Sequence, residues 1–353
     1  MEECETISVH AKHIPTLDGW RGIAILLLLI DHSLVPTFPA PVRTHLGAHA
    51  VQIFFVLSGY LITGKLLEDG SLKRFYTRRA FRILPVVLTY LTAVSILGFG
   101  LHAIPVFSTE IASSLLFVRN FHIGGGPFTG HLWSLSVEEQ FYLLWPALML
   151  WLVKVPPRQR FLLALWPFVF GVPVFLFSGT FQFYAGLAVG CVLRLGFSDI
   201  HTNAVIRRVF SGRSLLAVGT FAAYLAIFHF KLTIIDPVIC GVGLCATLVE
   251  PRALVGRFLE LSVLRWIGRL SYSLYIWQEL LLPYHWAGSL SRFPINLATV
   301  VGISCLSYYL IERPMMRLGQ SIASREAMVA TAPAPRLLPE PISATAAALS
   351  SET

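Results

Sequence analysis

Charge is scarce in this chain. Only 13% of its 353 residues are Asp, Glu, Lys or Arg, about half the share of an ordinary soluble domain. With 55% hydrophobic residues and a mean hydropathy of +0.69, the shortage excludes a water-soluble globular fold. Acidic residues are the rarer sign, 19 against 27 basic ones, which leaves a formal net charge of +8. That excess does not point to nucleic acid, because the basic residues collect in alternate loops and form no single patch. Cysteine is sparse too. Cys4, Cys191, Cys240, Cys245 and Cys305 include no CxxC pair, and four lie in or near apolar segments. Neither a disulfide framework nor a metal site is expected. No internal repeat and no appended soluble domain is visible. The first hydrophobic run begins near residue 20 and no small-residue cleavage site follows it, so it reads as a retained span and not as a cleavable signal peptide.

Long apolar runs are what the chain has in plenty. Runs of ~17–25 residues recur along most of its length, the size of a membrane-crossing helix. They fall at roughly 20–36, 48–67, 84–101, 137–153, 161–178, 180–196, 214–230, 232–250, 264–282 and 294–312. The expected fold is an all-α integral membrane protein of about ten transmembrane helices. With the N- and C-termini in the cytoplasm, 23 of the 27 Lys and Arg face that side, and only Arg43, Arg119, Lys231 and Arg292 face out. That bias is the positive-inside rule. Residues 1–318 read as one membrane domain in a multi-pass plasma (inner) membrane protein. Residues 319–353, rich in Ala, Pro and Ser, read as a disordered cytoplasmic tail. The longest outer loop, about 102–136, is of a length more often functional or re-entrant than idle.

The stretch LDGWRGIAILLLLIDHS, Leu17 to Ser33, carries Arg21 and His32. Eleven residues at ~100° each end about 20° past three turns, so both lie on one helix face, roughly 16 Å apart along the axis. With Arg21 at a membrane surface, His32 would sit near the midplane. An ionisable group there is a functional-site candidate; the alternative is a packing histidine bonded to a neighbouring helix. FYTRRAFRILP, residues 75–85, places Arg79 and Arg82 on one face at a cytoplasmic helix mouth. Guanidinium groups there suit phosphate oxygens, although topology alone also demands arginine at that place.

In HLWSLSVEEQFYLLWP, residues 131–146, Ser136 and Glu139 fit a capping box, which leaves His131, Trp133 and Glu138 to explain. Trp133 suits an interfacial anchor. QIFFVLSGYLIT, residues 52–63, sets Ser58 beside a glycine within a span, a pattern that favours close helix packing. IGRLSYSLYIWQE, residues 267–279, puts the polar tips of Tyr272, Tyr275, Trp277 and Gln278 inside a span. IERPMMR, residues 311–317, leaves Glu312 next to Arg313 at a cytoplasmic helix end, where Arg313, Arg317 or another inner-face arginine is its simplest partner.

Taken in order, these stretches resemble the membrane-bound acyltransferase-3 family, O-acetyltransferases of surface polysaccharides and related acceptors. The resemblance covers about residues 15–318. It implies an acyl-CoA donor, usually acetyl-CoA, on the cytoplasmic side, and a carbohydrate or other hydroxyl acceptor. It carries catalytic importance onto Arg21, His32 and Glu312 and donor binding onto Arg79 and Arg82. Ser58, His131, Trp133, Glu138, Glu139 and Tyr275 belong to its motifs without a stated role. No metal is implied. Gln278 stands where many relatives have His, so no proton-transfer role is given to it. Longer members carry an extra extracytoplasmic domain, and any second transfer step here would fall to a separate protein. A multi-span transporter or flippase is the alternative function, since intramembrane ionisable groups serve that too.

Overall fold

An apolar run in a bilayer must satisfy its own backbone hydrogen bonds, and a helix does so within the segment. The computed structural model follows that rule. It describes residues 13–33, 46–123, 125–164, 182–227, 235–282 and 286–331, and among the described residues there is no β-strand. In chain order the helices are α1 (Pro15–Ser33), α2 (Leu46–Glu68), α3 (Leu72–Ser95), α4 (Ser108–Leu115), α5 (Leu132–Leu152), α6 (Gln182–Ser198), α7 (Ile200–Phe210), α8 (Ser214–Ile227), α9 (Ile235–Val249), α10 (Leu254–Leu259), α11 (Ser262–Gln278), α12 (Ile295–Ser307) and α13 (Arg313–Thr331). Among the described residues, three stretches are long and apolar enough to cross a membrane: Leu46–Glu68, Leu72–Gly100 and Ile295–Glu326. Most of the expected span at 161–178 lies outside the described residues.

α1 is the hub. It lies between α2 and α11, the neighbours it packs against most closely. Ile25, Leu28 and Leu29 enter one buried apolar cluster with α3, α5 and α11, while Leu17, Trp20 and Ala24 enter a second with α2, α8 and α9. Trp20 also donates its indole N–H to Thr247 Oγ1 at 2.9 Å. The close crossing of α1 and α11 depends on small residues. A Cβ on Gly268 would stand 1.9 Å from the Asp18 carbonyl oxygen, and one on Gly22 2.4 Å from that of Leu264. α2 and α6 cross in the same way at Gly59, where a Cβ would stand 2.0 Å from the Leu187 carbonyl oxygen.

Two expectations change. α5 begins at Leu132, so Ser136 sits inside the helix and caps nothing. Its hydroxyl donates to the Leu132 carbonyl at 2.9 Å and accepts the Arg119 N–H at 3.2 Å. The capping box is therefore not formed, because the turn at Gly130 and His131 starts the helix one turn early. His32 lies in the last turn of α1 as described, and Arg21 stands six residues inside the start of the helix at Pro15. The chain is also helical beyond residue 318. α13 runs to Thr331 and packs on α3, with Gly319 against Phe81 and Lys73 paired with Glu326 at 3.0 Å. Residues after 331 lie outside the described residues.

The segment between α4 and α5, expected from the sequence in an outer loop, is built around Arg119. This buried side chain donates to Thr129 Oγ1 (3.1 Å) and to the carbonyls of Ile123 (3.0 Å) and Gly126 (2.7 Å), and faces Glu110 at 3.9 Å. A single guanidinium thus ties both ends of the 119–129 segment together and seats it on α4 and α5.

Candidate active site

The sequence-derived residues gather into two groups joined by a bridge. At the end of α1, His32 Nδ1 lies 2.5 Å from Gln278 Oε1, and Gln278 Nε2 donates to Glu279 Oε2 at 3.0 Å. Glu279 itself is 3.7 Å from His32 Nδ1. Gln278 is fully buried, whereas the His32 side chain is 27% exposed, so the ring is held on one side and open on the other. His131 is buried beside them, edge-on to the rings of Tyr90 (5.4 Å) and Tyr275 (5.3 Å). The Tyr275 hydroxyl donates to the His131 carbonyl and shares a 2.8 Å hydrogen bond with Ser134.

The second group lies nearer the other end of α1. Glu312 is 1% exposed, at the end of a π-helical turn (Tyr308–Glu312) between α12 and α13. Such turns are frequent at functional sites. Its carboxylate accepts the Ser273 hydroxyl at 2.7 Å and lies in the field of both Arg82 and Arg21. Arg21 and Arg82 lie within electrostatic range of each other, and Asp18 and Glu138 also act on Arg21. Guanidinium groups placed this way suit an anionic ligand. Of the partners the sequence offers Glu312, Arg313 lies instead near the ring of Tyr309, while Glu312 is bonded to Ser273 and lies in the field of the inner-face arginines Arg82 and Arg21.

Between the groups, the Ser58 hydroxyl donates to Glu138 Oε1 at 2.6 Å and so joins α2 to α5. Glu139 lies in the field of Arg79, and its buried Oε1 has no hydrogen-bond partner among the described residues. The Arg79 guanidinium stacks 3.7 Å above the Tyr142 ring, and its Nε is likewise buried without a partner among the described residues. Trp133 packs edge-on against Phe55 at 6.3 Å, a packing contact.

The arginines of α3 divide cleanly. Arg74 and Arg78 are committed to Asp69, at 2.5 and 2.6 Å. Hydrogen bonds from the two guanidinium groups hold the Asp69 carboxyl well below the usual carboxylate range. Arg79 and Arg82 point instead into the bundle. Arg21 and His32 share a helix but do not touch; each belongs to its own group. Among the described residues no cluster of three or more His, Cys, Asp or Glu could hold a metal ion.

A model of an acyltransferase domain matches residues 14–311. The chain belongs to the acyltransferase-3 family. The match contains every residue of both groups except Glu312, one position beyond its end. Among its relatives, the peptidoglycan O-acetyltransferase OatA of Listeria monocytogenes is 28% identical over 87% of this chain and 56% of its own length. The putative peptidoglycan O-acetyltransferase YrhL of Bacillus subtilis is 27% identical over 91% of this chain and 57% of its own. The O-acetyltransferase OatA of Staphylococcus aureus is 26% identical over 87% and 58%. The chain thus spans a little over half the length of these relatives. No solved structure matches it.

Glu279, and the contact of Gln278 with His32, are what sequence reasoning passed over. Gln278 was legible as a departure from the family pattern, and a Gln-Glu pair closing an apolar helix opposite the His32 end of α1 is the signal. Ser134 and Ser273, the hydroxyl partners of Tyr275 and Glu312, carried no signal of their own.

Proposed function

We propose that this protein is a multi-pass O-acyltransferase of the plasma (inner) membrane, moving an acyl group, in the first instance acetyl, from cytoplasmic acyl-CoA to a hydroxyl of a glycan. The observation that carries the proposal is the pairing of a partly open, hydrogen-bonded histidine with a separate cluster of converging arginines on the same helix. The names of the relatives make peptidoglycan the first acceptor to try. Ten spans with cytoplasmic termini fit the Lys and Arg distribution.

In this reading Arg79, Arg82 and Arg21 meet the phosphates of CoA. The thioester arm extends along α1 across the roughly 16 Å between Arg21 and His32. His32 Nε2 takes the proton of the acceptor hydroxyl as its oxygen attacks the thioester carbonyl. The C–S bond then breaks, and the departing thiolate takes the proton back from the imidazolium, giving the ester and free CoA. A positioned base of this kind contributes ~10²–10⁴ in rate. Glu312, held by Ser273, sets the spacing of Arg21 and Arg82. The transporter alternative lacks the support that family membership gives to transfer chemistry.

The test is CoA release and labelled ester formation by purified protein in liposomes, with acetyl-CoA and a panel of glycan acceptors. The proposal expects both products. Folded protein that neither binds nor turns over acyl-CoA would sink it.

A further inference from the structure

We infer that Gln278 is a positioning residue that fixes His32 in the Nδ1–H tautomer, with Glu279 holding the Gln278 amide in the orientation this requires. The consequence for catalysis rests on the proposed role of His32 as base. The tautomer itself is a property of the resting protein and can be read without any turnover.

A glutamine amide has one donating and one accepting end. The donating end is assigned by its neighbour: Gln278 Nε2 donates to Glu279 Oε2 at 3.0 Å. The other end, Oε1, therefore faces His32 Nδ1 at 2.5 Å and can only accept. The proton between them must sit on Nδ1. In a neutral imidazole that leaves the lone pair on Nε2. Glu279 does not replace Gln278 in this role, because its own distance to Nδ1, 3.7 Å, is too long for a hydrogen bond. The other ionisable groups around the ring are Asp31, its chain neighbour, and His131, within electrostatic range of it. Burial fits the division of labour. Gln278 is 0% and Glu279 8% exposed, so solvent cannot scramble the amide, while His32 keeps an open side. The opposite tautomer would turn the basic nitrogen against an amide oxygen and leave no base for an acceptor hydroxyl.

The experiment is ¹⁵N NMR of the intact protein, ¹⁵N-histidine labelled, in lipid nanodiscs at about pH 8, above the ordinary histidine range. His32 is assigned by difference from His32→Gln, and CoA release is measured on the same samples. Wild type is expected to show the Nδ1–H tautomer. Gln278→Leu is expected to give mixed tautomers and a turnover loss of roughly 10–100-fold, with the KM for donor little changed. Gln278→His again offers one donor and one acceptor, and should keep both the tautomer and most of the turnover. If Gln278→Leu does not fold, Glu279→Gln serves, since an amide partner no longer dictates which way Gln278 points and mixed tautomers should again appear. An Nε2–H tautomer in wild type, or an unchanged Nδ1–H tautomer in folded Gln278→Leu, overturns the inference. Nδ1–H in a wild type that shows no turnover upholds it and instead removes the transferase reading.

Discussion

A single methyl group added at Gly268 should disable the protein from a distance. Gly268 lies on α11 against α1, and a Cβ there would stand 1.9 Å from the Asp18 carbonyl oxygen and 3.1 Å from the Gly22 nitrogen. Both neighbours are backbone, so no side-chain rotation relieves the clash. Ordinary contact needs about 3.5 Å, so the helices must part by roughly 1.5 Å. Ten residues further along α11, Gln278 holds His32 at 2.5 Å. Even a 1 Å separation transmitted along the helix stretches that contact to about 3.5 Å, the edge of a hydrogen bond. Misplacement on that scale costs on the order of 10²-fold in rate, and the overpacking itself about 1–3 kcal/mol of stability. Gly268→Ala should therefore lose roughly two orders of magnitude of acyl transfer and melt earlier, measured on purified protein in liposomes and by thermal unfolding in detergent. Gly302→Ala is the control, because a Cβ there meets nothing within 4 Å. Transfer by Gly268→Ala within twofold of wild type would refute the coupling between helix crossing and active site.

Three other outcomes follow from named contacts. Asp69→Asn should lower stability by about 1 kcal/mol without changing turnover, since it frees Arg74 and Arg78 outside the bundle. The sign with pH is fixed: the folded carboxyl is depressed, so its contribution is present above its unfolded pKa of about 3.9 and is lost as pH falls toward the folded value. Thermal melts of wild type and variant should converge in acid. Replacing both Arg79 and Arg82 by Ala should raise the apparent Kd for acyl-CoA at least tenfold, read by titration calorimetry, while Arg78→Ala should leave it near wild type because Arg78 serves Asp69. Arg119→Met leaves Glu110 buried without its cation and takes the arginine donor from Thr129 Oγ1 and the Gly126 carbonyl, while the Ile123 carbonyl keeps the Ser113 hydroxyl; this should cost about 3–5 kcal/mol. Limited proteolysis should then cut between residues 107 and 130.

Much of this protein was legible in its sequence because a bilayer forgives little. The range expected at 48–67 is the helix Leu46–Glu68, and that at 232–250 is helical over its described part, Ile235–Val249. Arg21, His32 and Glu312 stand out in the sequence for the same reason, as ionisable groups in apolar stretches. Sequence patterns failed where a partner comes from far along the chain. Ser136 looked like a cap because Glu139 follows at the right spacing, but the actual partner of its hydroxyl is the backbone of Arg119 in the outer loop. The division of the α3 arginines turns on Asp69, three residues before the helix begins. Gln278 meets His32 across 246 positions of sequence, and nothing local announces it. The extension of α13 past residue 318 escaped because its composition is that of a tail, while its support is packing on α3.

His32→Ala tests the central claim most directly. Wild type and variant, matched for folding and membrane insertion, are given labelled acetyl-CoA and glycan acceptor, and ester formation is followed beside acyl-CoA binding. The account predicts transfer by wild type, none above background by the variant, and the same donor affinity in both. Equal transfer by the two proteins would contradict it.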